Sequence, residues 1–330
     1  MPDMAQQPRV VTDTGGKITP AIKRKKSALK NFMLSWQLYA MVLPAVIFTL
    51  VFAYVPLLYS VIAFQNFKPY HTLNHVFFHA DWVGLDHFKY AFSLQAAKQA
   101  MINTAVLFVL KVIGNTIAPL IFALLLNEVR REGIKRSIQT LVYLPHFMSW
   151  VILGGILIDV LGQQGIVNVL LGRVFDMAPI PFLLDGDWYR AVIVVSDMWK
   201  EFGFGAIVFL ATLAGINPAL YEASEVDGAN RWKQTMYVTI PSMLPITLVV
   251  LTLTIAGVLG YGLFEQIFNT YNGLVYSKGD VIDTFVFRIG IQTGQFSFAT
   301  AVGLFKSFIG LILVVIGYRL AYKYANYKIF

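Results

Sequence analysis

The sequence predicts an all-α integral membrane protein with about six transmembrane helices. Three observations carry that reading. Hydrophobic residues make up 57% of the 330 and charged residues only 13%, about half the charged share of an ordinary soluble domain. Six mostly apolar stretches approach or exceed the ~20 residues needed to cross a bilayer, and lysine and arginine collect in alternate connections between them. Backbone amides in hydrocarbon must be paired within their own segment, so spans of this length are helices rather than open strands.

Taken in order, residues 1–33 form a polar, basic tail, with a short helix expected near 28–33, and residues 34–330 form the membrane domain. The spans are expected at 38–64, 101–126, 141–161, 191–214, 243–264 and 298–318. The first carries Pro44 and Pro56, which neighbouring helices tolerate in a membrane. It is too long for a signal-peptide core and lacks a small-residue cleavage site, so it is expected to stay as an anchor. The connection 65–99 holds His71, His75 and His79 at i, i+4, i+8 spacing, and also His87. One helical face could present the first three, but carboxylate and thiol partners at metal-site spacing are missing, and no metal site is assigned. Phe77, Phe78, Trp82, Phe88 and Tyr90 there read as interfacial packing or as a surface for an external partner.

Charges inside spans are costly and therefore informative. The second span contains Lys111 and Asn115, the third Pro145 and His146, and the sixth Lys306. In the fourth, Asp197, Lys200 and Glu201 surround Trp199, and Asp197 is expected to pair with Lys200 at i, i+3. His146 reads as a helix-to-helix hydrogen-bonding residue rather than a base. The segment 162–189 is expected to be a loop with one interfacial helix, in which Asp185-Gly186-Asp187 makes a turn rather than a cation site. Gly257, Gly260 and Gly262 permit close helix approach.

Orientation follows from the basic residues. Sixteen fall in the tail, the 130–136 link, the 215–241 loop and the C-terminal end, against seven in the other connections. Both termini and the 215–241 loop are therefore expected in the cytoplasm. The net charge of +8 is thus a topology signal before it is a nucleic-acid footprint, and the Lys23–Lys26 run reads as a positive-inside anchor rather than as a contact for anionic headgroups. Cysteine is absent, which excludes disulfides and thiol chemistry.

The most informative stretch is the polar interruption GINPALYEASEVDGANRWKQTMYVTIPSMLP, which begins at Gly215. Asn217 and Pro218 suit the cap and first position of a short helix. Gly228 allows a bend, Asn230 can cap a second short helix, and Pro241 marks the start of the next span. Glu222-Ala223-Ser224, Asp227-Gly228-Ala229 and Ile240-Pro241 resemble the EAA loop of ABC-importer permeases. Ser224 stands where the family usually has alanine, and Thr235 where phenylalanine is frequent. From about Pro218 onward the chain resembles the carbohydrate branch, in particular permeases for complex polysaccharides such as alginate-like polymers.

The resemblance implies a type I importer fold in the bacterial cytoplasmic (inner) membrane, with alternating access driven from outside the chain. ATP and Mg²⁺ would be bound by a separate cytoplasmic ATPase dimer, and this subunit would need no cofactor. A second, homologous permease and an extracytoplasmic solute-binding protein would complete the assembly. Leu220, Tyr221, Glu222, Ala223, Ser224, Asp227, Gly228, Ala229 and Arg231 would contact the ATPase, with Glu222 meeting a basic group and Gly228 setting the bend. Independently, the chain has no G-x-x-x-x-G-K-[ST] and no nucleophile–base–acid arrangement, so catalysis by this subunit is not expected.

Sugar recognition calls for aromatic faces and for amide or carboxylate groups. Trp199, Lys200, Glu201, Tyr261, Gln266, Asn269 and Tyr271 are the candidates by type and position. Lys111, Lys200 and Lys306 would suit an acidic saccharide, unless each already holds a carboxylate. The competing readings are an ABC permease for an amino acid or ion, a stand-alone secondary transporter or channel, and a lipid-carrier transferase. The last would need an acidic or histidine cluster at one interface, and none stands out.

Overall fold

The structure is a computed structural model, and it describes residues 11–12, 18–19, 36–70, 73–260 and 262–325. The short helix expected near 28–33 and the final residues 326–330 lie outside the described residues. Two compact units are present, Met1–Tyr59 and Ser60–Phe330. In the first, a two-residue antiparallel pairing, β1 (Val11–Thr12) with β2 (Ile18–Thr19), precedes α1 (Trp36–Thr49), a π-helical turn over Leu50–Tyr54 and α2 (Val55–Tyr59). Within this unit the helices bury no residue. The π turn lies just ahead of Pro56, which offers no N–H and crowds the carbonyl one turn back, so the helix widens there instead of breaking.

The second unit opens with a 3₁₀ turn at Ser60–Phe64 and two short helices, α3 (Leu73–Phe78) and α4 (Asp86–Ser93). The helix α3 ends before His79, so His75 and His79 do not lie in one continuous helix; His71 lies outside the described residues. His87 instead meets the carbonyl of Gln65 at 3.0 Å.

The long helix α5 (Gln95–Asn127) follows. Next come α6 (Glu132–Tyr143), a 3₁₀ turn at Leu144–Phe147, α7 (Trp150–Leu161) and α8 (Ile166–Phe175). The continuous span expected at 141–161 is therefore not found. Pro145 ends one helix in the 3₁₀ turn, Met148 is extended, and Ser149 caps a new helix by accepting from the Ile152 amide. The apolar crossing is Trp150–Phe175, interrupted at 162–165.

The chain continues through α9 (Gly186–Ala214), α10 (Pro218–Val226), α11 (Arg231–Gln234), a π turn at Thr235–Thr239 and α12 (Ile240–Gly260). This second π turn again precedes a proline, Pro241. A cluster of short elements then includes α13 (Phe264–Phe268), α14 (Tyr276–Gly279) and α15 (Ile282–Phe287), before α16 (Phe296–Ala325) closes the chain. Among the described residues, five helices are long and apolar enough to cross a membrane. A sixth appears when α9 and α10, bent by 68° at their junction, are taken together. The fifth expected span, 243–264, is found earlier, at Ile240–Gly260, and the sixth is longer than expected.

Small residues let the helices approach. Gly203 and Gly205 on α9 face the Val142 carbonyl and Pro119, and Gly310 and Gly317 on α16 face Leu259 and Thr252 of α12. Hydroxyls that would be stranded in hydrocarbon are turned onto the helix's own backbone: Thr104 to Ala100, Thr116 to Val112, Ser196 to Val192 and Thr252 to Leu248. Gly203→Ala should lower the thermal stability of the purified protein by about 1–3 kcal/mol, the range for overpacking a tight contact. Its Cβ would stand 2.3 Å from the Val142 oxygen, whereas a Cβ at Gly303 meets nothing within 4 Å. Gly303→Ala is thus the control that should leave the melting temperature unchanged.

Candidate coupling loop and solute pathway

The loop after α9 takes the form its caps dictate. Gly215 ends α9, Asn217 Oδ1 accepts from the Ala219 amide at 3.0 Å, and Pro218 occupies the first helical position. At the far end of α10, Gly228 has φ +76°, a left-handed conformation that costs a residue with Cβ. Asn230 Oδ1 accepts from Lys233 N at 2.9 Å and starts α11. The two-helix shape expected from Asn217, Gly228 and Asn230 is present.

Its faces are unequal. Tyr221, Ser224 and Ala229 are half-buried, whereas Leu220, Glu222, Ala223, Asp227 and Gly228 are exposed and Val226 is 89% exposed. Glu222 has no partner among the described residues. Arg231, expected beside the outward contact, instead reaches back to Glu128 at the end of α5, 2.7 Å away. Tyr221 also turns inward, with its hydroxyl 3.0 Å from Thr239 Oγ1.

Within the membrane part, two polar networks lie near the crossing of α5, α7 and α9. Lys111 is fully buried, and its ammonium donates to Asp197 Oδ1 (3.0 Å), the Gly262 carbonyl (2.8 Å) and Gln266 Oε1 (2.5 Å). Asp197 Oδ2 accepts from Asn115 (2.8 Å), and Gln266 donates to the Ile193 carbonyl and Ser196 Oγ, each at 2.9 Å. All three ammonium protons are used, so α5, α9 and the turn after α12 are fastened at one point. The Asp197–Lys200 pair does not form, because both oxygens of Asp197 are taken by Lys111 and Asn115 of α5.

Lys200 belongs to the second network. It donates to the His146 carbonyl (2.8 Å) and to Glu201 Oε1 (3.2 Å), while His146 Nδ1 lies 2.8 Å from Glu201 Oε2. An ionised Glu201 only accepts, so this contact requires the Nδ1–H form of His146. His146 stacks flat on Phe204, with ring centroids 4.0 Å apart, and Lys200 sits over the Trp150 ring at 5.7 Å. The expectation that His146 bonds between helices holds. A third pair, Lys306 with Asp283 at 2.6 Å, lies on a larger, mainly apolar cavity.

The two networks share a cavity of about 390 Å³ whose walls include Asn115, His146, Trp150, Lys200, Glu201 and Glu265. Asn115 Oδ1 is buried there without a partner among the described residues. Of the pathway candidates, Lys200 and Glu201 line this cavity, and Gln266 stands behind it. Trp199 is 49% exposed and is not part of the wall. Asn269 packs on Gly154 and donates to the Glu265 carbonyl. Tyr271 lies farther on, its ring 5.2 Å from that of Tyr276. Tyr261 lies outside the described residues. Trp150, Phe204 and Glu265 were not singled out because only the crossing of α7, α9 and the turn after α12 brings them together.

Residues 115–325 match the model of the family described as binding-protein-dependent transport system inner membrane component. The chain belongs to this family. It is accordingly a multi-pass permease subunit of the kind found in the inner membrane in bacterial ABC importers, and permeases of this family are not themselves catalytic. The chain is 39% identical over 311 residues to the polygalacturonan/rhamnogalacturonan transport system permease protein YteP of Bacillus subtilis (strain 168), covering 93% of this chain and 94% of that one. It is 37% identical to protein LplB of the same organism, covering 100% and 99%. Among solved structures, a bacterial ABC transporter that imports the acidic polysaccharide alginate superposes with a TM-score of 0.81. That match has 35% identity and covers 90% of this chain and 99% of that one. A structure of a bacterial alginate ABC transporter in complex with its pentasaccharide-bound periplasmic protein gives 0.82 at 33% identity, covering 92% and 100%.

Proposed function

We propose that this permease forms half of the translocation pathway of an ATP-driven importer for an oligo- or polysaccharide. A second homologous permease would supply the other half, a cytoplasmic ATPase dimer would bind ATP and Mg²⁺, and an extracytoplasmic binding protein would deliver the solute. Both termini and the 215–241 loop face the cytoplasm in this reading, and the exposed face of α10, with Glu222 free, docks on the ATPase.

The observation that carries the solute class is the cavity wall. Phe204 offers the ring face that is not stacked on His146, Trp150 adds a mostly buried aromatic edge, and Asn115 Oδ1 is an acceptor without a donor among the described residues. Glu201 and Lys200 add charged partners for hydroxyls. Relatives named for polysaccharide transport along nearly the whole chain support the same class.

The three intramembrane lysines do not argue for an acidic solute, because each holds a carboxylate: Lys111 with Asp197, Lys200 with Glu201, and Lys306 with Asp283. The deciding experiment is ATPase activity of the reconstituted complex with its binding protein, screened against uronate and neutral oligosaccharides. Stimulation by either class is the expected result. If uronate oligosaccharides stimulate, charge recognition belongs to the binding protein or the second permease. Absence of stimulation by every saccharide, in a complex that retains its ATPase, would overturn the solute class.

A further inference from the structure

We infer that Tyr221, Thr239, Glu128 and Arg231 are positioning residues that carry movement of α10 into α5 and α12, two of the helices that wall the solute cavity. The inference rests on the reading that α10 docks on the ATPase. That helix buries no residue of its own, so a force applied to it can leave only through the backbone at its ends and through the few side chains turned inward.

Two side-chain links reach structures beyond the loop. The Tyr221 hydroxyl meets Thr239 Oγ1 at 3.0 Å, across 18 positions of sequence. Thr239 is buried and is the last residue of the π turn that passes directly into α12. A π turn holds one residue more than the α-helix around it and is a place where a helix can change register. Tyr221 therefore grips the most adjustable turn on the way to α12.

The second link runs the other way. Arg231, the first residue of α11, is 2.7 Å from Glu128 at the C-terminal end of α5. Its partners are both more than half exposed, at 68% and 55%, so as a stabilising ion pair it is worth little. As a tether it has a definite consequence, because α5 bears Lys111 and Asn115, which fix Asp197. The helix α12 supplies Val250, Thr254, Gly257 and Val258 to the cavity wall, and α5 supplies Asn115. The loop is thus tied to both of these walls, by one neutral and one ionic link. Spatial adjacency alone does not prove coupling; the following measurement tests it.

The protein contains no cysteine, so two can be introduced for spin labels at exposed positions of α5 and α12, Ile113 and Leu253. The interspin distance is read in the complete transporter, before and after trapping with ATP and vanadate. In the parent the distribution should shift on trapping. In Tyr221→Phe and Thr239→Val the shifted population should fall about fivefold, the factor set by losing one net hydrogen bond, and Glu128→Ala, which removes the acceptor of the exposed pair, should lower it by a smaller factor, while vanadate still traps nucleotide. Tyr221→Phe/Thr239→Val should be no worse than either single change, since both remove one link. The exchange Glu128→Arg/Arg231→Glu should restore the shift that Glu128→Ala loses.

A full shift in all single variants, or additive losses in the Tyr221/Thr239 pair, would overturn the inference. Its foundation is checked separately with Val226→Asp, which alters only the outward face. If that variant keeps its ATPase through purification as firmly as the parent, the docking reading fails, whatever the distances show.

Discussion

Lys111→Met is expected to lower the stability of the purified transporter by about 3–5 kcal/mol, the cost of leaving a buried charge without its counter-ion. Lys111 is fully buried and spends its donors on Asp197, Gln266 and the Gly262 carbonyl. Its removal strands the Asp197 carboxylate and the Gln266 oxygen together. The melting temperature and the monodisperse yield of the complex report this directly. The double change Lys111→Met/Asp197→Leu should recover much of the loss, because a satisfied ion pair in a low-dielectric interior is close to break-even against apolar residues. An unchanged melting temperature in Lys111→Met would mean that this network does not hold α5 to α9.

Gly228→Val should abolish productive coupling, with uptake and binding-protein-stimulated ATPase activity both falling at least about tenfold. At φ +76° a β-branched residue is strained by roughly 1–3 kcal/mol, although a Cβ there would meet no atom within 4 Å. The penalty therefore lies in the backbone, and the chain relieves it by changing the angle between α10 and α11. Gly228→Asn should retain most of the activity, because asparagine tolerates the left-handed region. If Gly228→Val left both uptake and stimulation unchanged, this loop would not be the coupling element. Substitution at Gly228 and at Lys111 separates the two functions of the chain: the first should spare the fold, and the second should not.

Much of this architecture could be read from the residues. Helix caps are local, so Asn217, Gly228 and Asn230 were enough to place the two short helices of the loop, and their geometry agrees. Span number and approximate place were legible because hydrocarbon demands a minimum apolar length. The break in the third span was less legible: Pro145 and Ser149 are the signal, but prolines at 44, 119 and 245 sit within helices that continue. Only packing against neighbours decides which proline ends a helix.

The sequence by itself determined the membrane, the helical class, the coupling-loop shape and the family resemblance. Each rests on properties of consecutive residues: apolar length, charge sidedness, capping and a short motif. The tertiary structure alone decided which charges meet. Asp197 sits three residues from Lys200, yet it pairs with Lys111, 86 positions away. Tyr221 and Arg231, which by position in the loop look outward, are bound instead to Thr239 and Glu128. In a medium where an unpaired charge is costly, the partner is set by which helices cross at that depth, and spacing along one helix carries no information about the crossing.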